Sequence, residues 1–149
     1  MWKFILALAA TCAFSAPVVA ADRGTADEAV AMTKRAVAAI QAEGAGKVYP
    51  AITAKDARFV DRDLYVIVYD AAGKCLAHGA NAKLVGKDLS ENQDVDGKFY
   101  VKERMDLAKA KKPFWQDYKF TNPTTKKIEP KTTYCEPLAD TVVCVGIYK

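Results

Sequence analysis

Residues 64–69 constrain the fold of this chain more than any other segment, because Leu-Tyr-Val-Ile-Val-Tyr is apolar or aromatic at every position. A strand with no polar face has to be covered on both sides, so this segment is predicted to be a central strand. The turn that follows begins with Asp70, whose carboxylate can bond its own backbone, and ends with Gly73, which can adopt positive φ. Residues 74–78 can then return as a second strand. The pattern predicts a hairpin that carries His78 to its end.

The first twenty residues have the layout of a secretion signal. Lys3 precedes an apolar run over residues 4–14, and small residues follow up to Ala20. We expect cleavage near Ala20 and a periplasmic or secreted protein, with residues 21–149 forming one domain. No later segment reaches about 18 consecutive apolar residues, so we expect the mature protein to be soluble. The formal charge of +4 is spread over short basic pairs, which argues against nucleic-acid binding.

The rest of the chain predicts an α+β domain with an antiparallel sheet. A capping box from Thr25 to Glu28 starts a helix over about residues 25–43. A short helix is expected within residues 49–57, and another over residues 98–111. Three further strands are expected over residues 115–120, 129–135 and 141–148.

The cysteines predict one disulfide in an oxidising compartment. Export would remove Cys12 and leave Cys75, Cys135 and Cys144. Cys135 and Cys144 flank a segment that looks like a symmetric hairpin, which would place their sulfurs opposite each other. We therefore predict a Cys135–Cys144 disulfide and a free Cys75 that packs as an apolar strand residue.

A set of short motifs resembles, in order and over nearly all of residues 21–149, the single-Cache family of extracytoplasmic sensor domains. The motifs are Phe59-Val60-Asp61, Leu64-Tyr65-Val66, Tyr69-Asp70 with Gly73, Leu76-Ala77-His78, Asn81, Leu84 to Leu89, Asp94-x-Asp96-Gly97-Lys98, Trp115 with Tyr118, Asn122-Pro123, Lys131 with Tyr134, and Val145 to Tyr148. The resemblance implies a PAS-like fold with a long N-terminal helix on a five-stranded antiparallel sheet. It also implies a small-ligand pocket on the opposite face.

The same resemblance implies a ligand such as a small organic acid or an amino acid, and a set of pocket residues. The expected ligand-binding residues are the donors His78, Asn122 and Lys131 and the aromatic walls Phe99, Trp115, Tyr118 and Tyr134. Strand geometry limits this set, because side chains three residues apart on a regular strand point to opposite faces. Lys131 and Tyr134 have that spacing, as do Trp115 and Tyr118, so only part of the set can line one pocket.

No enzymatic site is expected. His78 is the one histidine in the chain, which excludes sites that need two. Cys75 lies three residues before His78 and should point to the other face of a regular strand, so the two cannot act as nucleophile and base. No cofactor-binding motif is present either.

Calcium binding is an alternative for residues 92–103. Asp94, Asp96, Gly97 and Glu103 match positions of an EF-hand loop, but Asn92 stands where an aspartate is expected. No helical pattern precedes the loop. The simpler hypothesis is that the two aspartates cap a helix that starts near Lys98.

We therefore expect a periplasmic ligand-binding domain without catalysis and without a resident metal or cofactor. Members of the family usually lie between two transmembrane helices, which this sequence does not show, so ligand binding carries over more directly than signalling. The alternative function is an accessory protein that docks a membrane receptor or transporter, with its pocket filled by its own side chains.

Overall fold

The structure, a computed structural model, describes residues 22–149. The expected secretion signal at residues 1–20, with Cys12, lies outside the described residues and stays a prediction. The helices are α1 (Ala26–Glu43), α2 (Ala45–Thr53) and α3 (Tyr100–Ala108), and the strands are β1 (Val60–Asp61), β2 (Leu64–Asp70), β3 (Cys75–His78), β4 (Phe114–Thr121), β5 (Ile128–Leu138) and β6 (Thr141–Tyr148). A 3-10 turn spans Ala82–Leu84. None of the helices in residues 22–149 is both long and apolar enough to cross a membrane.

Helix α1 begins at the capping box that the sequence predicts. The Thr25 hydroxyl accepts a hydrogen bond from the backbone N–H of Glu28, and the Glu28 carboxylate accepts one from the backbone N–H of Thr25. The helix ends at Gly44, whose φ of 87° is easy for glycine alone. Its buried face, which includes Ala29, Met32 and Ala36, packs on the sheet.

The strands form one antiparallel sheet in the order β1-β2-β6-β5-β4, and β3 pairs with the same edge of β2 as β1, further along that strand. The predicted fold class is confirmed: a long N-terminal helix packs on an antiparallel sheet. Five strands form the body of the sheet, and the two-residue β1 adds a short sixth.

Strand β2 is central and covered on both sides, as its composition predicts. Leu64, Val66 and Val68 pack with α1 and α2 in one apolar cluster, while the alternate residues of β2 enter a second cluster with α3. All of residues 64–69 are buried. The sheet therefore has a helix face, which α1 and α2 cover, and an opposite face, which the chain from β3 to α3 covers.

Two helix boundaries differ from the sequence-based expectation. Helix α2 starts directly after Gly44 because positive φ at that residue lets the second helix follow the first without a loop. Helix α3 starts at Tyr100, and no side chain caps it at Phe99. Asp94 instead accepts hydrogen bonds from the backbone N–H groups of Asp96 and Lys98 and holds that segment in a turn, so the expected helix cap was wrong.

The predicted disulfide is present. Cys135 in β5 pairs directly with Cys144 in β6, and their sulfurs are bonded. Cys75 is free and buried, also as predicted. The disulfide closes a short loop at the middle of the sheet, where it restricts the unfolded chain.

Replacing both disulfide cysteines, as Cys135→Ala/Cys144→Ala, should lower the free energy of unfolding by about 2 to 3 kcal/mol, since the closed loop no longer restricts the unfolded chain. Urea denaturation without reductant measures this difference. Dithiothreitol should lower the wild-type value to that of the variant and leave the variant unchanged. Equal stabilities of wild type and variant would contradict the prediction.

Candidate functional site

Two buried cations lie on the sheet face opposite α1. Lys131, in β5, has 1% of its surface exposed, and Arg104, in α3, has 0%. Within residues 22–149, neither of them forms an ion pair with an aspartate or glutamate. Removing a charge from water without pairing it is costly. Buried ionisable groups of this kind are candidates for a functional site.

A chain of hydrogen bonds fixes the ammonium group of Lys131. Nζ donates to Tyr65 Oη at 2.7 Å, and Tyr65 Oη lies 3.0 Å from Tyr148 Oη. Tyr148 Oη donates to the carbonyl of Thr121 at 2.8 Å. Since Tyr148 uses its proton there, Tyr65 is the donor in the bond between the two phenols. Each group in this series therefore donates to the next, from Lys131 through the two tyrosines to the end of β4.

Aromatic rings surround the same ammonium group. Nζ of Lys131 lies 4.1 Å from the ring centroid of Tyr65, 4.8 Å from that of Tyr148 and 5.6 Å from that of Phe120. Gly146 gives the lysine its path across β6, because a Cβ at this position would overlap Lys131 Cε. Cation–π contacts offset part of the desolvation cost, but the rings carry no net negative charge.

Arg104 presents two free nitrogens of its guanidinium group. Its Nε donates to Gln116 Oε1 at 2.9 Å, and Gln116 Nε2 donates to the carbonyl of Tyr100 at 2.8 Å. Nη1 and Nη2 are buried and make no hydrogen bond of good geometry in the described part of the chain, although the Tyr118 phenol lies close enough to help raise the pKa of Arg104. The Cζ atom lies 5.0 Å from the ring centroid of Tyr118 and 5.4 Å from that of Tyr69. Two adjacent donors in a fixed plane match the two oxygens of a carboxylate.

His78, at the end of β3, supplies a third donor, which is uncharged. Its Nδ1 accepts hydrogen bonds from the backbone N–H groups of Ala80 at 3.2 Å and Asn81 at 3.0 Å. These bonds assign the proton of the neutral imidazole to Nε2. Nε2 is buried and has no partner within residues 22–149. Burial lowers the pKa of His78 to about 3, with repulsion from Lys131 and Arg104 adding to the effect.

Lys131, Arg104 and His78, hereafter the donor cluster, border the same aromatic rings. Tyr65 stacks on His78, with 5.2 Å between ring centroids, and is the ring closest to Lys131 Nζ. The ring centroid of Tyr118 lies 5.0 Å from Arg104 Cζ and 5.9 Å from Lys131 Nζ. Three donors from three different elements therefore lie around one group of rings.

Burial and the neighbouring charges shift the pKa values of the ionisable groups on this face. Burial lowers the pKa of Lys131 to about 8, since the nearby Tyr118 phenol only partly opposes burial and Arg104 adds to the lowering. Burial alone would raise the pKa of Tyr118, but Lys131 and Arg104 outweigh burial and lower it to about 8. At neutral pH both cations are therefore mostly charged.

Asp63 is the acidic side chain that acts on Lys131 from a distance. It is buried at the start of β2, and its Oδ1 accepts a hydrogen bond from the backbone N–H of Gly24 at 2.7 Å. Its charge favours protonated Lys131 without forming an ion pair with it. The two cations outnumber this one carboxylate, so the face keeps a net positive charge that favours an anion.

Two small cavities lie beside the aromatic rings of this face. One of about 280 Å³ reaches Lys131 and Tyr118 and is also lined by Asp94, Asp96 and Asp117. Another of about 180 Å³ is lined by Tyr100 and Phe120. Arg104 and His78 line neither of these two cavities. Both fall below the usual size of pockets for drug-sized ligands and suit a molecule of few atoms.

The family model described as single Cache domain 2 matches residues 21–149. The chain belongs to the single-Cache family. The sequence-based resemblance is therefore confirmed. No match was found among curated proteins.

Three solved structures show the same fold as this Cache domain. A methyl-accepting chemotaxis protein from Vibrio parahaemolyticus RIMD 2210633 is 23% identical with a TM-score of 0.69, over 82% of this chain and 86% of that one. The periplasmic sensor domain of a chemotaxis protein is 23% identical with a TM-score of 0.64, and the match covers 82% of this chain and 88% of that one. A structure reported for carboxylic acid recognition by a Cache chemosensory domain is 20% identical with a TM-score of 0.68, over 82% and 91%.

The Cache domain brings three of the seven expected ligand-binding residues together: His78, Tyr118 and Lys131. Tyr118 and Lys131 are direct cross-strand neighbours in β4 and β5, so their side chains share a face. His78 reaches the same face from β3 and stacks on Tyr65. Whether these residues bind a ligand stays a prediction.

The other four expected residues lie outside the donor cluster. Trp115 and Tyr134 pair on the opposite face, 5.2 Å apart between ring centroids, because β4 and β5 run without a bulge and strand parity holds. Trp115 is 41% exposed there. Phe99 precedes α3 and is 38% exposed. Asn122 is buried in the β4–β5 turn, where its side chain bonds Thr124 and Glu129.

Sequence reasoning missed Arg104, Tyr65 and Tyr148. Arg104 occupies the apolar stripe of α3, three residues after Val101 and directly before Met105. An arginine at helical spacing among buried residues was a signal that could have identified it. Tyr65 and Tyr148 are polar-tipped rings within strands, and only the sheet register shows that their hydroxyls meet.

A bulge corrects one sequence-based inference about Cys75. The pairing of β2 with β3 shifts between Val68 and Tyr69. Cys75 and His78 therefore both lie on the sheet face opposite α1 rather than on different faces. They still do not form a catalytic pair. The Cys75 thiol donates to the carbonyl of Ala77, and burial raises its pKa to about 11.

The geometry of residues 92–103 does not fit calcium. Both oxygens of Asp94 accept backbone hydrogen bonds, one of them from Lys119. Asp96 pairs with the Lys119 ammonium. Within residues 22–149 no three His, Cys, Asp or Glu side chains are grouped closely enough to hold a metal ion.

Lys131→Met should leave the ligand-free domain at least as stable as wild type, and up to about 3 kcal/mol more stable, because an apolar side chain of similar length replaces a buried, unpaired charge. Urea denaturation at pH 7 measures the difference. Ile67→Ala, a cavity-forming control on the same face, should cost about 2 to 5 kcal/mol. A loss above about 1 kcal/mol for Lys131→Met would show that the ammonium group is structural.

Proposed function

We propose that this Cache domain binds a small carboxylate through Lys131 and Arg104. The observation that carries the proposal is the buried guanidinium of Arg104, whose two terminal nitrogens have no acceptor within residues 22–149. A second buried cation, Lys131, lies on the same sheet face. One carboxylate can accept two parallel hydrogen bonds from a guanidinium group. It would also neutralise charge that the fold otherwise buries at a cost.

The proposal narrows the ligand class that the sequence suggested. The ammonium group of an amino acid would lie beside two cations, and Asp63 is the one buried carboxylate among the described residues to oppose them. A carboxylate without an amino group avoids that repulsion. The neighbour reported to recognise carboxylic acids supports this class.

Binding without chemical conversion fits the groups around the cluster. The Nδ1 atom of His78 is occupied by two backbone N–H groups, so the imidazole is not placed as a general base. The thiol of Cys75 stays protonated. We also propose a periplasmic location and presentation of the bound ligand to a membrane receptor, which the chemotaxis neighbours support.

Small carboxylates should raise the melting temperature of the purified protein, whereas amides of the same size should not. Acetate, propionate, lactate and pyruvate are compared with acetamide and propionamide, after unfolding in urea and refolding to release any copurified molecule. At about 100 times its dissociation constant, a ligand should add about 2.7 kcal/mol of stability.

The response should disappear in Lys131→Met and Arg104→Met and persist in the matched control Lys112→Met, which changes an exposed lysine. An unchanged response in both cluster variants would reject the assigned cations. A response to the amides equal to that of the acids would reject the carboxylate.

Carboxylate affinity should fall as the pH rises through about 8. The free domain loses the Lys131 proton there, and ionised Tyr118 would add a negative charge. Arg104 stays protonated, His78 stays neutral, and burial keeps Tyr65 and Tyr148 protonated, so these groups add no transition near this pH. We expect an affinity about tenfold weaker at pH 9 than at pH 7.

Calorimetric titration over pH 6 to 9 measures this dependence. In the control Lys112→Met the same fall in affinity near pH 8 should remain, because Lys131 and Tyr118, whose pKa values lie there, are unchanged. Affinity that is constant or rises over this range would contradict a role for the ammonium charge.

A further inference from the structure

His78 Nε2 remains unexplained once a carboxylate is assigned to the two cations. The imidazole is 1% exposed, and its Nε2–H has no acceptor among the described residues. A buried donor without an acceptor costs about 1 to 3 kcal/mol. The two cations suffice for the charge of a carboxylate, so this donor requires a further acceptor.

We propose that His78 determines the specificity of this site, and that the ligand carries an oxygen on the carbon next to its carboxylate, as 2-hydroxy and 2-oxo acids do. This inference rests on the proposed function, because it takes Lys131 and Arg104 as the carboxylate-binding pair. His78 Nε2–H then donates to the oxygen on the second carbon.

The position of His78 places this acceptor close to the carboxylate. The imidazole lies 5.2 Å from the ring centroid of Tyr65 and 6.4 Å from that of Phe120. Lys131 Nζ lies 4.1 Å and 5.6 Å from the same two centroids. His78 and Lys131 therefore both lie next to the rings of Tyr65 and Phe120.

The direction of the Nε2–H bond is fixed before a ligand arrives. Nδ1 accepts from two successive backbone N–H groups, of Ala80 and Asn81, where β3 passes into the 3-10 turn. Stacking on Tyr65 restrains the plane of the ring. A preorganised donor discriminates strongly, because a ligand that lacks the acceptor leaves the donor buried and unpaired.

The charge state of His78 favours a neutral acceptor. Burial lowers the pKa of His78 and keeps the imidazole neutral at physiological pH, and both cations add to this effect. A second carboxylate would gain more from a charged donor than from this one. A hydroxyl or keto oxygen needs only the single N–H that Nε2 provides.

Calorimetric titration with propionate, lactate and pyruvate tests the proposal, since these acids share three carbons and differ at the second. Wild type should bind lactate or pyruvate at least about tenfold more tightly than propionate. His78→Phe keeps an aromatic ring beside Tyr65 but removes the donor, so the affinity ratio should fall to about one. His78→Gln, whose side-chain amide can place an N–H near the position of Nε2, should restore part of the ratio.

The outcomes separate this inference from the proposed function. Equal affinity of wild type for the three acids would overturn the role of His78 while leaving the carboxylate site intact. A preference that is unchanged in both His78→Phe and His78→Gln would also overturn it. Absence of binding by all three acids would instead remove the proposed function on which the inference rests. If His78→Phe fails to fold, the wild-type ratio and His78→Gln still decide the matter.

Discussion

The ammonium group of Lys131 lies inside the protein, where it contacts aromatic rings and donates one hydrogen bond to Tyr65. Its position depends on the sheet register, which aligns Tyr118, Lys131 and Tyr148 across β4, β5 and β6. Helix α3 then covers this row and adds a second buried cation, Arg104. Two like charges in a protein interior repel each other. The apolar cluster on the helix face supplies stability that is independent of them.

The two faces of the sheet therefore have different physical roles. Alternate residues of one central strand, β2, contribute to both: aliphatic side chains pack under α1, and tyrosines face the donor cluster. The first face follows from burial of apolar area alone. The second contains charges and polar atoms that lower stability in the ligand-free state, as is common where function requires a strained or unpaired site. This contrast is the reason for assigning the function to the face opposite α1.

Local signals in the sequence predicted most of the fold, because they act within a few residues. The capping box at Thr25 and the unbroken apolar run of β2 are examples. The site was harder to predict, because its members come from five strands and a helix and meet only through register. Trp115 and Tyr134 were expected in the pocket and lie on the other face by strand parity. Arg104 was missed because a long basic residue on a helix is usually exposed.

The most direct measurement is a crystal structure of the protein grown with a saturating short carboxylate. The account predicts electron density for the acid against the donor cluster, with its carboxylate oxygens within hydrogen-bonding distance of Lys131 Nζ and of the Arg104 Nη atoms. Density for the acid at another surface, with both cations still lacking an anionic partner, would contradict it. The same map would show which group His78 Nε2 contacts.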